Sequence, residues 1–299
     1  MQISMFKYFL AVAETGSIRQ ASLSLHVSAS AISRQIQNLE HSFQTTLFDR
    51  CADGMLLTEE GRVLALHMQR TMREMELARA KIADIHGLTA GTVRYATIEG
   101  VARAWLFPAI AEFQKAHPLV EFKGRISGAE AVYQALENDQ VDFGITMQDD
   151  FYPDIGIVEK FTTQFKAAMP HQHPLAKHST LNLKDLTSYE LTMLDPTFHT
   201  RRALDTSLLR LGLTARIGFE LDHIELIKVH VMQTGNLTIL PDYAVSHEEK
   251  HQTMAIVDIA ENELPSATTI LCVRRGRILT KAAEAIINSL RERPITPPL

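Results

Sequence analysis

The chain has 299 residues, of which 45% are hydrophobic and 22% charged, and its formal net charge is -5. This is ordinary globular composition with room for two or three domains, and the acidic balance argues against a protein that binds polyanions through general charge alone. The chain has no apolar run of about eighteen residues, so we expect no membrane span. Cys51 and Cys272 lie far apart, which predicts no structural disulfide and a cytoplasmic location.

Two short helices joined by a tight turn are predicted near the N-terminus. Ser17 can cap a first helix, which is expected to run to about Leu25. A turn at His26 leads to a second cap at Ser28, and the next helix reaches about Glu40. The spacing predicts a helix-turn-helix.

The second of these helices has two different faces. Ile32, Ile36 and Leu39 recur at spacings of four and three, so they can pack inward. Small hydroxyls, an amide and a guanidinium occupy the rest, and such side chains suit a helix in a DNA major groove. A small helical bundle without a nucleic acid partner is the alternative. The residues predicted to contact DNA are Arg19, Gln20, Ser28, Ala29, Ser30, Ser33, Arg34, Gln37 and Arg50.

The chain lacks the excess of positive charge that is typical of a DNA-binding surface. The first ninety residues hold nine Lys or Arg against nine Asp or Glu, and the remainder holds 21 against 26. Binding would therefore depend on a few placed cations, on helix N-termini and on several copies in one assembly.

A hairpin wing is predicted from Leu47 to Leu57, because Asp53-Gly54 is a turn signal between two short apolar runs. Arg50 lies at its base, where a phosphate contact and a surface salt bridge are the two alternatives, and the family resemblance described below favours phosphate. Cys51 is interpreted as an inert small residue, with a redox sensor as the alternative.

A long helix is predicted from the cap at Thr58 to about His86. Its length of roughly 27 residues corresponds to a rod of about 40 Å. An unbroken heptad seam predicts that it pairs with a copy of itself, whereas one face of a globular core is the alternative. The seam consists of Leu64, Met68, Thr71, Met75, Ala78, Ile82 and Ile85.

Strands and helices alternate after a short linker at residues 88–91, which predicts parallel sheets covered by helices. The predicted strands are Thr92–Thr97, Val120–Arg125, Phe143–Met147, Phe165–Met169, Arg216–Leu221, Leu237–Leu240 and Thr268–Val273. The predicted helices are Trp105–Ala116, Ala129–Asn138, Thr200–Leu211, His223–Thr234 and Thr280–Arg291. Such sheets bind ligands at the carboxyl ends of their strands.

The strand-to-helix turns therefore predict where a ligand would bind. The predicted residues are Glu99, Gly100, Val101, Ser127, Gly128, Thr146, Phe198, His199, Thr200, Gly235 and Asn236. Exposed backbone N–H groups at such turns suit a carboxylate or another anion. Glu99 would repel an anion unless it points away or the ligand also carries an amine, and turns without any ligand are the alternative.

The N-terminal sixty residues resemble the winged helix-turn-helix of the LysR-type transcriptional regulators. The matching positions are Phe6, Phe9, Glu14, Gly16, Ser17, Ala21, Leu25, Val27, Ser28, Ala31–Ile36, Leu39, Glu40, Leu47, Phe48, Arg50, Leu57, Thr58 and Gly61. The chain departs from the pattern at Ala29, where the family usually has Gln, and at Phe43-Gln44, where it has Leu-Gly. Gln44 would have to adopt the positive φ that suits glycine if the turn requires one.

Shorter echoes extend the resemblance over almost the whole chain. They are Leu106-Phe107-Pro108, His117-Pro118, Val141–Ile145, His173–Ala176 and the segment from Gly235 to Pro241. The resemblance implies an α/β multidomain protein. Its parts are a winged helix-turn-helix at 1–58, a dimerising linker helix at 59–87 and a two-lobed, periplasmic-binding-protein-like effector domain at 88–299. Lobe I comprises 92–163 and 267–299, and lobe II comprises 164–266.

The function implied is sequence-specific DNA binding under the control of a small-molecule effector, a small organic or amino acid, held between the lobes. Expected partners are double-stranded DNA, a second copy through the linker helix and, by resemblance, a homotetramer, with RNA polymerase as a further candidate. We expect no cofactor and no enzymatic activity, because no catalytic constellation stands out. A solute-binding protein or an α/β enzyme with a helical appendage is the alternative.

A metal site at His171, His173 and His178 is not expected. No cysteine is close to these histidines in the sequence, and zinc sites usually draw on further Cys or His ligands.

Overall fold

The computed structural model describes residues 3–51, 54–85, 91–148 and 152–295. The chain divides into two compact units, Met1–His86 and Gly87–Leu299. Within the described ranges, no helix combines the length and the apolar content that crossing a membrane requires.

The first unit contains four helices and a hairpin within the described ranges. They are α1 (Ile3–Thr15), α2 (Ile18–Leu25), α3 (Ala29–Phe43), β1 (Phe48–Cys51), β2 (Gly54–Leu57) and α4 (Glu59–Ile85). Ser17 Oγ accepts from Gln20 N, and Ser28 Oγ accepts from Ala31 N, so both predicted caps form. The helix-turn-helix arises where the two caps begin α2 and α3.

Two residues other than glycine end these helices in the left-handed conformation. His26 has a φ of 55° at the end of α2, and Gln44 has a φ of 52° at the end of α3. Helix α3 therefore continues three residues beyond the predicted end at Glu40. The turn after α3 does require a positive φ, and Gln44 adopts it.

The core of the first unit forms between the helix-turn-helix and the start of α4. Phe9, Ile32, Leu39 and Leu47 are at most 1% exposed, and Met68 of α4 packs in the same cluster. The wing strands pair antiparallel. Asp53, predicted in the wing turn, lies outside the described residues.

A close backbone contact fixes the wing against the turn between α1 and α2. Met55 N donates to Gly16 O at 2.8 Å. A Cβ on Gly54, whose φ is +130°, would lie 2.4 Å from the same Gly16 oxygen. Glycine is thus required at the start of β2 by both conformation and space.

Gly61 predicts a measurable stability effect. Alanine has a helix propensity better than that of glycine by about 1 kcal/mol. A Cβ at Gly61 would nevertheless lie 2.1 Å from Leu47 O, an oxygen that accepts from Thr58 N. We expect Gly61→Ala to destabilise the first unit by about 2 kcal/mol in chemical unfolding followed by far-UV circular dichroism. Arg62→Ala, at the exposed neighbouring position, is the control, and a more stable Gly61→Ala variant would contradict the close contact.

The apolar side chains of helix α4 are buried near its start and exposed further along it. Met68 is 2% exposed in the core of the first unit, whereas Met75 and Ile82 are 40% and 58% exposed. The side chain of Ile85, the last member of the predicted seam, lies outside the described residues. The second half of α4 therefore presents apolar side chains, Met75 and Ile82, that the described residues leave exposed.

The five-stranded sheet of lobe I has the order β4-β3-β5-β13-β6. Its strands are β3 (Gly91–Thr97), β4 (Val120–Ile126), β5 (Phe143–Met147), β6 (Ile155–Thr163) and β13 (Ala267–Arg274). Strand β3 runs parallel to β4 and β5, but β13 runs antiparallel to β5 and β6. The prediction of a purely parallel sheet is wrong here, because the chain returns from lobe II and adds β13 in the opposite direction.

Lobe II departs further from the parallel prediction. Its strands are β7 (Phe165–Met169), β8 (Thr180–Leu181), β9 (Glu190–Leu194), β10 (Arg216–Leu221), β11 (Thr238–Pro241) and β12 (Ala255–Ile259). Strand β7 pairs antiparallel with both β11 and β12, while β9 and β10 form a parallel pair. An isolated parallel bridge between Leu191 and Leu237 joins that pair to β11.

The helices of the second unit pack against the sheets of both lobes. They are α5 (Glu99–Val101), a π-helical turn (Ala102–Leu106), α6 (Phe107–Ala116), α7 (Ala129–Glu137), a 3-10 turn (Pro174–Lys177), α8 (Leu183–Leu186), α9 (His199–Leu211), α10 (Ile224–Thr234), α11 (Asp242–His251) and α12 (Lys281–Arg291). One hydrophobic cluster includes Trp105 and Phe113 of lobe I together with Ile227, Val231 and Tyr243 of lobe II. The two lobes therefore share a core.

Candidate DNA-binding surface and interlobe cavity

Helix α3 buries one face and exposes the other. Ile32 and Ile36 are at most 3% exposed, whereas Ser30, Arg34 and Gln37 are exposed. Because the buried residues recur at helical spacing, the polar residues between them point to solvent. The helix thus presents a hydroxyl, a guanidinium and an amide on an open surface.

The hairpin wing lies against this helix and forms a groove of about 270 Å³ with it. Ser33 and Gln37 of α3 line the groove together with Arg50 of β1. Leu47 N donates to Glu40 Oε1 at 3.0 Å and fixes the connection between helix and wing. Three residues predicted to contact DNA therefore share one surface. The other predicted contacts, Arg19, Gln20, Ser28 and Ala29, are all exposed at or near the starts of α2 and α3.

A cavity of about 740 Å³ lies between the lobes of the second unit. Residues that follow β3 and β4 line it from lobe I, and residues that follow β9, β10 and β11 line it from lobe II. The cavity thus lies at the carboxyl ends of strands from both lobes, where α/β sheets bind ligands.

Glu99 spans the lobes at one end of this cavity. Its Oε2 accepts from Ile224 N at 2.9 Å and its Oε1 accepts from Glu225 N at 3.3 Å, so a lobe I carboxylate caps α10 of lobe II. His223 Nδ1 lies 2.7 Å from Glu99 Oε1. A negative charge is favourable at a helix N-terminus, so Glu99 stabilises this junction.

Four charged side chains form a second junction between the lobes. Arg103 Nη1 of lobe I donates to Glu225 and Glu248 of lobe II at 2.8 and 2.9 Å. Lys228 Nζ donates to Glu248 Oε1 at 2.9 Å and to Ala244 O at 3.0 Å, and lies 2.7 Å from Glu225 Oε1. Lys228 is 4% exposed and Glu248 is 8% exposed, so both charges depend on these partners.

The Glu248 carboxyl predicts a pH dependence of stability. Burial raises its pKa, but Lys228 and Arg103 outweigh burial and hold the pKa below the ordinary value of 4.5. The resulting stabilisation is present above about pH 4.5 and is lost as the pH falls through the lower pKa of the folded state. We expect the stability difference between the wild type and Glu248→Gln to shrink below about pH 4.5 in urea unfolding followed by fluorescence. A difference that does not change with pH would contradict this assignment.

Two family models match the chain. "Bacterial regulatory helix-turn-helix protein, lysR family" covers residues 3–62, and "LysR substrate binding domain" covers residues 86–294. The chain belongs to the LysR family of transcriptional regulators. The second match corresponds to the two-lobed unit, so this LysR-type regulator has an effector-binding domain that contains the interlobe cavity.

Similar proteins agree with this assignment. The transcriptional dual regulator GltC of Bacillus subtilis (strain 168) is 28% identical over 258 residues, 86% of this chain and 86% of that protein. A full-length OxyR variant from Pseudomonas aeruginosa has a TM-score of 0.75 at 18% identity, covering 99% of this chain and 96% of the other. Full-length CbnR complexed with its target DNA has a TM-score of 0.69 at 19% identity, covering 97% and 99%. The two structures share the fold of this LysR-type regulator.

Most residues predicted to bind an effector line the cavity of the LysR-type regulator. They are Glu99, Gly100, Ser127, Gly128, Phe198, His199 and Thr200. Val101 and Thr146 are fully buried beside it and do not line it. Glu99 caps α10, so it does not stand as an open charge against an anion.

Gly235 and Asn236 are not brought to the cavity. They follow the C-terminal end of α10, whereas the preceding residues His223 and Ile224 at its N-terminal end line the cavity. Residues 235–236 form a helix-to-strand turn, and the strand-to-helix turn of this segment falls instead at Pro241 and Asp242. Pro241 and Tyr243 line the cavity in place of the predicted Gly235 and Asn236.

Sequence reasoning missed several cavity residues of this regulator, above all Arg103 and Glu225. Both line the cavity, but the partners of Arg103 lie 122 and 145 residues away in the sequence. The position of Arg103 just after the first strand-to-helix turn could have indicated that it lines the cavity. Helical spacing after Glu99 places it one turn along the same side.

Of the three histidines near the start of lobe II, His173 is buried, whereas His171 and His178 are exposed. His173 Nδ1 accepts from Leu175 N at 3.2 Å, and burial lowers the pKa of His173. Within the described ranges, no group of three or more His, Cys, Asp or Glu is arranged to hold a metal ion. Burial raises the pKa of Cys272 to about 12, whereas Cys51 is exposed on the wing.

Proposed function

We propose that this LysR-type regulator reads double-stranded DNA through α3 and the wing, and that a small molecule in the interlobe cavity controls it. The observation that carries the DNA-binding residues is the shared surface of Ser33, Gln37 and Arg50, next to exposed Arg34. Groups on a helix can reach base edges, while a cation on the wing can neutralise phosphate. The related structure of CbnR with its target DNA supports this role.

The proposed location is cytoplasmic, the assembly is a homodimer or homotetramer, and RNA polymerase is a candidate partner. The proposed role is not enzymatic. Among the residues that the structure describes, Ser127 Oγ, a buried hydroxyl in the cavity, has no hydrogen-bond partner, so none of them stands beside it as the base that nucleophilic catalysis uses.

The test of DNA binding is selection of genomic fragments by the purified full-length protein, followed by footprinting. We expect two protected half-sites whose centres lie about one turn of DNA apart, because a dimer presents two copies of α3. Fragments bound no more tightly than random DNA at physiological salt would overturn the proposal.

Pairing through α4 predicts a change in assembly. Met75 is 40% exposed on the predicted seam, and a carboxylate there would be desolvated between two copies. We expect Met75→Asp to yield monomers or weakened oligomers in light scattering. Glu74→Ala, at an exposed position off the seam, is the control, and an unchanged assembly of Met75→Asp would rule out the seam as the dimer contact.

A further inference from the structure

Helix α11 of lobe II carries two histidines one turn apart. His247 and His251 stand four residues apart, which places their side chains on one face of the helix. Their ring centroids are 4.4 Å apart and the ring planes are inclined at 45°. Both residues are exposed, and within the described ranges neither ring makes a hydrogen bond. The ring nitrogens are therefore available to a ligand that arrives from solvent.

The spacing of the two rings suits a single metal ion. An imidazole nitrogen binds zinc at about 2.1 Å, so two nitrogens on one ion are at most about 4.2 Å apart. Rings in contact on adjacent helical turns meet this condition after a small rotation of the exposed side chains. Because the helix already holds the two ligands side by side, binding requires little further ordering.

The end of α11 also favours a cation. His251 is the last residue of the helix, and the C-terminal end of a helix carries partial negative charge. The three residues between the histidines are Glu248, Glu249 and Lys250, so their charges sum to one negative charge. Neutral imidazoles add none, and a divalent cation bound by them meets a favourable local charge.

Glu248 connects this histidine pair to the interior of the lobe. Its Oε1 lies 3.9 Å from His247 Nδ1, and its Oε2 is buried without a hydrogen-bond partner among the described residues. A histidine that binds a metal usually donates its other ring N–H to a carboxylate, which orients the ring and strengthens the ligand. Glu248 is placed to accept from His247 Nδ1, which leaves His247 Nε2 for the metal.

The order His-Glu-x-x-His on a helix is also the motif of zinc metalloproteases, in which the glutamate is the general base. The surroundings differ here. Glu248 Oε1 accepts from Lys228 and from Arg103, so the carboxylate already serves the junction between the lobes. A catalytic zinc uses three protein ligands, and within the described ranges no third ligand joins the pair. The arrangement fits metal binding by two histidines and water, without a base for hydrolysis.

We propose that His247 and His251 chelate one divalent transition-metal ion, with His247 Nε2 as one of the two ligands. Imidazole suits Ni²⁺, Cu²⁺ and Zn²⁺, whereas Mg²⁺ and Ca²⁺ prefer oxygen ligands. When His247 donates to Glu248, it competes with Lys228 and Arg103 for the same carboxylate. Metal occupancy therefore also changes the ion pairs between the lobes. The site is separate from the DNA-binding surface and does not depend on the proposed function.

The test is calorimetric titration of the untagged full-length protein with Ni²⁺, with Mg²⁺ as the comparison. We expect saturable binding of one Ni²⁺ per chain and no binding of Mg²⁺. His247→Ala and His251→Ala each remove one of the two ligands at an exposed position, and each should weaken Ni²⁺ about tenfold or more. Ni²⁺ should also raise the Tm of the wild type, because it binds the folded helix.

Two further variants complete the experiment. The chain has 13 histidines, so His178→Ala, at an exposed histidine of lobe II outside α11, is the matched control and should leave Ni²⁺ binding unchanged. Glu248→Gln keeps both ligands but weakens the acceptor for His247 Nδ1, and it should weaken Ni²⁺ about tenfold. An unchanged affinity of Glu248→Gln would remove Glu248 from the site.

Electron paramagnetic resonance of bound Cu²⁺ gives an independent readout of the ligands. We expect two nitrogen ligands in the wild type and a single one in His251→Ala. Three outcomes would overturn the proposal. They are no saturable Ni²⁺ binding, equal Ni²⁺ affinity in the wild type and both α11 variants, and a single nitrogen ligand on Cu²⁺ in the wild type. Equal affinity in all variants would mean that scattered surface histidines bind the metal.

Discussion

Lys228→Met lowers the stability of the two-lobed unit by about 3 kcal/mol, because breaking a buried ion pair leaves an uncompensated charge. Lys228 is 4% exposed and donates to Glu248 and to Ala244 O, and methionine fills similar volume without a donor. For a unit of this size we expect a fall in Tm of about 9 °C. The fluorescence of the single buried tryptophan, Trp105, reports this transition.

A double variant separates the lost charge from the lost packing. Lys228→Met with Glu248→Leu removes both members of the pair, and Arg103 keeps its contact with Glu225. Replacing a buried ion pair by apolar side chains is often neutral or stabilising, so we expect most of the loss to be recovered. A double variant less stable than Lys228→Met would show that Glu248 contributes through other contacts.

Arg34→Ala weakens operator binding about ten- to a hundredfold at fixed salt, because each copy of α3 loses the guanidinium that we propose contacts a base or a phosphate. Arg34 is exposed on α3 and does not belong to the hydrophobic cluster of the first unit, so the fold should persist. Ser33→Ala, in the groove shared with Arg50, is expected to have a smaller effect in the same direction. Gel-shift titration at several salt concentrations gives both the affinity and its salt slope.

Lys7→Ala is the matched control for Arg34→Ala. Lys7 is an exposed cation on α1 of the same unit and is not among the residues predicted to contact DNA. Equal losses in the two variants would point to net charge rather than to the placement of Arg34. A variant Arg34→Ala with unchanged affinity would remove α3 as the reading element.

Prediction from the sequence was most accurate where a residue and the groups it contacts lie close together along the chain. Caps at Ser17 and Ser28 begin their helices within three residues, and the positive φ at Gln44 follows directly from the end of α3. Local chemistry therefore specified the winged helix-turn-helix well.

The cavity was predicted less completely, because its contacts join distant parts of the chain. Glu99 was predicted to repel an anion unless it points away, and its carboxylate in fact caps a helix 125 residues later. Gly235 and Asn236 were expected in the site, but they lie at the other end of α10, about 16 Å away along an 11-residue helix. The residues of a turn alone do not show whether the turn leads from a strand to a helix or from a helix to a strand.

Strand direction was also beyond local reasoning. The alternation of strands and helices predicted parallel sheets, but β13 and β7 run antiparallel to their neighbours. Strand β6 was missed because Glu159, Lys160 and Thr162 interrupt its apolar residues at the edge of the sheet. Both features depend on where the chain crosses between the lobes. A short segment of sequence does not contain that information.

The core shared by the lobes makes neither of them an independent folding unit. A fragment of residues 164–266 would expose Ile224, Ile227 and Tyr243, which pack in one cluster with Trp105. Limited proteolysis between the lobes should therefore not release a protease-resistant half, and truncation to a single lobe should give insoluble material. Protein fragments made for crystallisation or for biosensor engineering should keep both segments that connect lobe I with lobe II, and the chain should be split only in surface loops.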